Sequence, residues 1–525
     1  MPFKLATVAN HPVMAAMPVL SIMRVSSLAS ILLLTGCMSL SPEPIDKNAL
    51  QQQAAQDSLT ARQNVPAING SLSLDEAIAR ALKYNLEARS RQMEQALAMS
   101  QYDVGNFDML PKMIAAAGYS HRSEYATTRA VDSVTGEPSL ANPYISSDKH
   151  HATSDLGLTW SVLDFGLSYY SAKQNADRVL IASERRRQAM HVLVQDVRSA
   201  FWRAASAQKL RQSVKDSTLL AESALADARQ AESERLRSPV ESLRYQRQVL
   251  ENLRLLEAIE QELGTARIEL AALINAPLGT ELTVVEPAES FNQRVLDLPV
   301  EQLEAQALAQ NALLREQNYN TRIAGQETRK TLLRLFPNLS LNYSLRHDSD
   351  KYLINNNWNE AGAQLSFNLL NILSAPAQMR LAKAGIAVAD QRRVATQMAV
   401  LAQVHIARLQ YANALQQFQR ADAIWQVDDR LNQQSANRSQ VQTTGKLDTV
   451  ASNTSAILSQ LRRYQAMALA NAAASKLQAT LGLEPSIGDL DQVPLQQLQD
   501  EVHASLRQWN QGQLTAPVPT PGAGQ

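Results

Sequence analysis

Side chains able to do chemistry are sparse in this 525-residue chain. It has no Gly-x-x-x-x-Gly-Lys-Ser/Thr loop to cradle phosphates and no His-Glu-x-x-His pair to hold zinc. Ser146–Lys149 has the Ser-x-x-Lys spacing of a nucleophile beside a lysine, but its companion motifs are missing. His121, His150 and His151 fall near the same expected strand end. Imidazoles so placed could ligate a metal, though exposed loop histidines are the plainer reading. Cys37 is the only cysteine, so no intrachain disulfide can form. Nothing here points to an enzyme or to a cofactor. A formal net charge of zero gives no basic surface for nucleic acid.

The lone thiol has a telling position. After Arg24 an apolar run, Ser27–Gly36, ends in small residues directly before Cys37, as a secretory signal does. Leu34-Thr35-Gly36-Cys37 resembles the bacterial lipobox, in which the cysteine is acylated, by palmitate among other chains, and becomes the first residue of the mature lipoprotein. Met38 follows instead of an aspartate, which favours the outer membrane. Met23 as the start would leave a short, ordinary signal. Beyond Cys37 no run of 18 apolar residues occurs, so no transmembrane helix is expected.

Two stretches alternate with period 2. Leu339, Leu341, Tyr343 and Leu345 interleave with Ser340, Asn342, Ser344 and Arg346, and Ala363, Leu365, Phe367 and Leu369 interleave with Gln364, Ser366 and Asn368. Each is a strand with one apolar and one polar face. Asp348–Glu360 between them is a polar loop. An earlier unit is built alike: Leu110-Pro111 opens it as Phe336-Pro337 opens the later one, and Leu156, Leu158, Trp160 and Val162 alternate on its return strand.

The chain is therefore a tandem duplication. Leu82, Asn85 and Pro111 fall on Leu308, Asn311 and Pro337, about 226 residues on. Leu158, Trp160, Val197 and Leu243 fall on Leu365, Phe367, Val404 and Val450, about 207 residues on. The difference is extra length in the first hairpin loop, Arg122–Ser154. Helical sequence surrounds the hairpins: one helix over Leu74–Asp108, then Leu167 to about Arg237, roughly 70 residues or ~105 Å at 1.5 Å each, then Val240–Asn275. The second copy gives Pro376–Ser439 and Leu447–Leu481. Val194, Val197, Phe201 and Ala205 make a narrow coiled-coil seam. The remaining faces are polar, which suits a single-layer wall wetted on two sides.

A lipidated chain with four half-apolar strands of about ten residues has strands of transmembrane length. Strands cross a bilayer only in a closed barrel, because open edges leave backbone groups unpaired. Bacterial barrels begin at eight strands, so four cannot close alone and the chain must oligomerise. The apolar face (Leu339, Leu341, Tyr343; Leu365, Phe367, Leu369) is expected toward lipid and the Ser/Asn face toward a lumen.

Repeated helix–Leu-Pro–hairpin–long-helix units, with Trp160-Ser161-Val162-Leu163-Asp164-Phe165-Gly166 closing the first hairpin, resemble the TolC-type outer-membrane efflux proteins over about residues 71–484. Asn85 and Asn311 match the family's asparagine after the first helical stretch of each repeat, with Leu86 and Ala312 where its proline stands. The resemblance implies a mainly α fold with a small β-barrel portion: a homotrimer whose twelve-stranded barrel continues into a periplasmic α-helical tube. It also implies a periplasmic adaptor protein and an inner-membrane pump as partners. At the tube's far tips, Arg235–Glu241 and Gln442–Asp448, the family's glycine is absent, and Asp448 and Glu241 remain at the acidic position. A carboxylate ring in a narrow pore favours cations; a solvated acid at a helix start is the alternative.

The expected layout is a signal peptide over 1–36, a lipidated tether over 37–70 and a first repeat over 71–276 with strands near 111–121 and 154–164. A linker over 277–297 follows, then a second repeat over 298–484 with strands near 337–347 and 361–371, and a polar tail over 485–525. The expected role is a passive exit duct of a tripartite efflux or secretion system, anchored in the outer membrane of a Gram-negative cell and reaching into the periplasm. The competing reading is a lipid-anchored coiled-coil structural protein of the periplasm, which would have no use for amphipathic strands.

Overall fold

A computed structural model describes residues 44–129, 131–138, 143–234, 238–279, 281–286, 291–440, 446–483 and 492–511. The chain divides into two compact units, residues 1–63 and 64–525. Cys37 and the lipobox lie outside the described residues.

In the first unit the expected tether contains a helix, α1 (Lys47–Arg62), with Asp46 accepting from the Asn48 amide at 3.2 Å. Its Gln- and Ala-rich sequence propagates a helix readily, and none of its residues is buried.

The second unit begins with α2 (Leu74–Tyr84) and α3 (Leu86–Phe107). One continuous helix was expected here. Asn85 breaks it by turning extended (φ −62°, ψ 128°). Its Oδ1 accepts from the Glu87 and Ala88 amides, and its Nδ2 donates to the Leu273 carbonyl at 3.0 Å. The side chain thus caps the new helix and ties it to the end of a distant one. The first hairpin follows: β1 (Lys112–His121), a ribbon of β2 (Ala126–Thr128) and β3 (Tyr144–Ser147) inside the long loop, and β4 (His150–Ser161). Then come α4 (Val162–Ser233), 72 residues long, and α5 (Pro239–Leu273).

The second repeat has a single turn, α6 (Arg294–Asp297), then α7 (Val300–Gln310), α8 (Ala312–Leu333), β5 (Asn338–Asp348), β6 (Asn357–Ser366), α9 (Leu370–Gln440) and α10 (Lys446–Leu481). Asn311 repeats the Asn85 device: Oδ1 accepts from the Leu314 amide and Nδ2 donates to the Thr480 carbonyl, both at 3.1 Å. Two asparagines 226 positions apart making the same pair of bonds are the duplication expressed in three dimensions.

Strand ends differ from the sequence expectation where a polar side chain intervenes. β4 starts at His150 and stops at Ser161, whose Oγ caps α4 by accepting from the Asp164 amide at 3.0 Å. β6 runs over Asn357–Ser366 and not to about 371. Asn368 Oδ1 accepts from the Leu370 amide and starts α9, so Phe367 and Leu369 are not strand residues. Trp358, Asn359 and Glu360, assigned to the loop by composition, pair with Arg346, Leu345 and Ser344.

The linker's Leu282–Val285 segment forms a parallel bridge, Leu72 to Val284, and closes the core around Val197, Phe201 and Leu270. The expected polar tail contains α11 (Leu495–Asn510). Leu498, Val502 and Trp509, spaced for one helical face, are buried there, and Gln499 donates to Asp75 at 3.1 Å. Among the described residues no helix is long and apolar enough to cross a membrane.

Candidate functional site

The two hairpins find each other. Antiparallel pairing gives one four-stranded sheet in the order β1-β4-β5-β6. Ser161 Oγ donates to Asn338 Oδ1 at 2.8 Å and pins the two repeats together at its base. The register sorts the faces. One row across the sheet reads Met113, Leu158, Tyr343, Ala361, and the next on that face reads Ala115, Leu156, Leu345, Asn359. The opposite face carries Asn342, Ser344, Arg346 and Glu360, where Arg346 lies between Asp155 (3.5 Å) and Glu360 (3.1 Å). The apolar residues are uncovered: Met113 is 70% exposed and Leu365 71%. Among the described residues β1 and β6 each have one unpaired edge. A sheet of this kind can rest only where its apolar face meets an apolar medium and its edges meet other strands.

At the loop end Asp350 accepts from Ser147 Oγ at 2.5 Å and from the amides of Asp148 and Tyr352. The Ser147 bond, with the two amides, holds its carboxyl below the usual aspartate range. His151 turns to the polar face, with Nδ1 2.7 Å from Asp348 Oδ1. His121 and His150 point the other way and stack at 4.5 Å between ring centroids. The three histidines grouped by sequence are therefore not one cluster. Among the described residues no group of three or more His, Cys, Asp or Glu is placed to hold a metal.

Below the sheet the helices keep the strand order. The layer runs α3-α4-α8-α9, so α3 and α9 are its open edges as β1 and β6 are the sheet's. Further down it runs α5-α4-α10-α9. On α3, Leu86, Met93, Leu97 and Val104 stand exposed at spacings of seven, four and seven. On α9, Leu381 (76% exposed), Val388, Met398 and Leu409 stand exposed at spacings of seven, ten and eleven. Such stripes have the spacing of a coiled-coil seam without its partner.

The interior seam between α4 and α8 is ionic. Buried Asp177 meets Arg322 and accepts from Gln326 at 3.0 Å, buried Glu184 is flanked by Arg187 and Arg315, and Glu316 meets Arg185 at 2.8 Å. The Gln174 amide holds Glu327 below the ordinary carboxylate range. Sequence reasoning missed this seam. Its signal was present as Gln174, Asp177, Ile181 and Glu184, spaced three, four and three with polar residues at the contact positions. Lower down, Arg198 of α4 is buried and donates to Ser475 at 2.7 Å, and burial lowers its pKa to about 10.

Asp448 and Glu241 both lie in the first turn of a helix, α10 and α5, and both are exposed. The neighbouring Val450 and Ser242 are buried in the packing between α4, α5 and α10. Lys446 beside Asp448 pairs with Asp227 of α4. The helix breaks themselves, 235–237 and 441–445, lie outside the described residues.

A scan against protein-family models gives no match. A search of curated proteins gives none either. Solved structures do match. The Campylobacter jejuni CmeC outer membrane channel is 12% identical, with a TM-score of 0.62 over 89% of this chain and 97% of that one. The Neisseria gonorrhoeae MtrE outer membrane channel, in its open state, is 15% identical, with a TM-score of 0.58 over 80% and 95%. The outer membrane protein VceC of Vibrio cholerae is 14% identical, with a TM-score of 0.58 over 78% and 97%. At these identities the likeness is one of fold, and that fold is the TolC-type channel fold.

Proposed function

We propose that this chain, which has the TolC-type fold, is one of three that close a twelve-stranded barrel in the outer membrane above a helical tube in the periplasm. The observation that carries the reading is the sheet: four strands, one uncovered apolar face, and two open edges directly continuous with the open edges of a single helical layer. Three such layers joined edge to edge leave no unpaired strand and no uncovered seam. The exposed stripes on α3 and α9 then become the contacts between copies. The polar face, with Arg346 between Asp155 and Glu360, lines the lumen.

The duct is passive and carries small molecules delivered by an inner-membrane pump through a periplasmic adaptor docked at the tips. Cys37 carries the lipid that anchors the chain in the outer membrane. Asp448, with Glu241 near the other helix break, supplies the acidic ring of the periplasmic entrance. A structural rod is disfavoured because it would leave the apolar sheet face in water. Conductance across a planar bilayer tests the duct: discrete channels are expected, and Asp448→Asn should lower their cation preference in a salt-gradient reversal potential. Pure protein that inserts but never conducts would remove the duct; an unchanged reversal potential with both acids neutralised would remove only the gate.

A further inference from the structure

The outer end of the sheet carries a feature the channel does not use. β1 and β4 pair so that His121 faces His150 on their last rung, and Tyr119 lies two residues back on the same face. The two Nδ1 atoms are 3.0 Å apart, and the Tyr119 hydroxyl is 3.0 Å from His150 Nδ1. All three side chains are exposed. Neighbouring imidazoles are otherwise engaged: His151 Nδ1 meets Asp348 at 2.7 Å on the opposite face, and His347 Nδ1 meets Asn357 at 2.8 Å.

We propose that His121 and His150, with Tyr119, form a surface chelate for a tetragonal divalent ion of the copper(II) class. The donors are two imidazole nitrogens and a phenol oxygen, types that suit copper or nickel. The separation points the same way: at metal–nitrogen bonds near 2.05 Å, a 3.0 Å gap between Nδ1 atoms subtends roughly 95° at the ion. That is the cis angle of a square-planar or tetragonal site. A tetrahedral ion would need the nitrogens roughly 3.4 Å apart. Backbone pairing of the two strands puts both imidazoles on one rung, and their side-chain contact sets the gap. The pair lies on the face of Met113 and Leu158 but three residues past the rung where Thr153 meets the end of β5, so beyond the apolar band, and the remaining positions are left to water. Both histidines belong to one chain, so the site does not depend on how copies assemble.

The test is a copper(II) chloride titration of the full chain in detergent, without a polyhistidine tag, followed by calorimetry and electron paramagnetic resonance. One site per chain is expected, with an axial spectrum showing hyperfine coupling to two nitrogens. His121→Ala and His150→Ala should each weaken binding at least tenfold and abolish the two-nitrogen pattern. Tyr119→Phe should weaken binding less and keep the pattern, and His151→Ala should leave both unchanged. Unaltered migration of each variant as the folded oligomer guards against misfolding, as these residues lie exposed at strand ends. Copper binding that is equal in wild type, His121→Ala and His150→Ala, or absent from wild type, overturns the site.

Discussion

A charge placed on the uncovered sheet face should be costly, and the structure says where the cost is largest. Leu158 lies in the row Met113, Leu158, Tyr343, Ala361, with Tyr343 at the centre of the eleven-residue β5. Eleven residues rise roughly 37 Å along the strand and, tilted by about 40°, span about 28 Å, close to the apolar band of an outer-membrane barrel. Leu158 therefore sits near the midplane. Leu158→Arg should cost roughly 2–4 kcal/mol per chain, which lowers the inserted fraction roughly 30- to 700-fold at 1.4 kcal/mol per factor of ten. Three copies inserting together raise the penalty to roughly 6–12 kcal/mol. Asn342, one strand over on the opposite face, opposes Thr159 and Gly362, so Asn342→Arg should assemble like wild type. The assay is the amount of folded, heat-modifiable oligomer in purified outer membranes. Equal assembly of the two arginine variants would refute the facing of the sheet, and with it the argument that lipid covers it.

Other perturbations reach the rest of the chain. Asn85→Ala and Asn311→Ala each remove a cap worth about 1–2 kcal/mol and a bond to a helix-end carbonyl, and Asn311→Ala should cost more because that side chain is buried; a urea midpoint unmoved by either would refute their role. Trp509→Ala should cost about 3–5 kcal/mol and release α11, so limited proteolysis should cut within 492–511 in the variant and not in wild type. Asp350→Asn should loosen the outer loops, read as faster amide exchange near Tyr352. The native carboxyl is held below its ordinary value of 3.8, so its contribution is full above that pH and fades only as pH falls below it; a wild-type and variant difference that vanishes already near neutrality would contradict this.

The duplication, the four strands and the long helices were legible because each rests on periodicity, and periodicity survives without knowing what packs where. The alternation around Leu341 fixed a face, and the structure keeps that face. What was illegible were decisions taken by single polar side chains. Asn85 ends one helix and starts another, Ser161 ends a strand, and Asn368 stops β6 before Phe367 joins it. Composition cannot distinguish such an asparagine from a loop residue. The helix α11 carries a helical stripe, Leu495, Leu498, Val502, Leu506 and Trp509, but it follows a proline at the end of the chain, and what that stripe covers appears only once α2 lies beneath it. The ionic seam of α4 and α8 read as a wet helix face because charged residues normally are one. Of the three histidines, only strand register could say that His121 and His150 share a side and His151 does not.

The central claim is that the open edges of this sheet close on copies of itself. Four strands cannot close, and eight would make a barrel whose interior side chains fill it; twelve leave a lumen. Native mass spectrometry of the protein extracted from outer membranes in mild detergent counts the copies directly. Three chains per particle are expected. A particle of one or two chains, from membranes in which the protein is folded and heat-modifiable, would contradict the account.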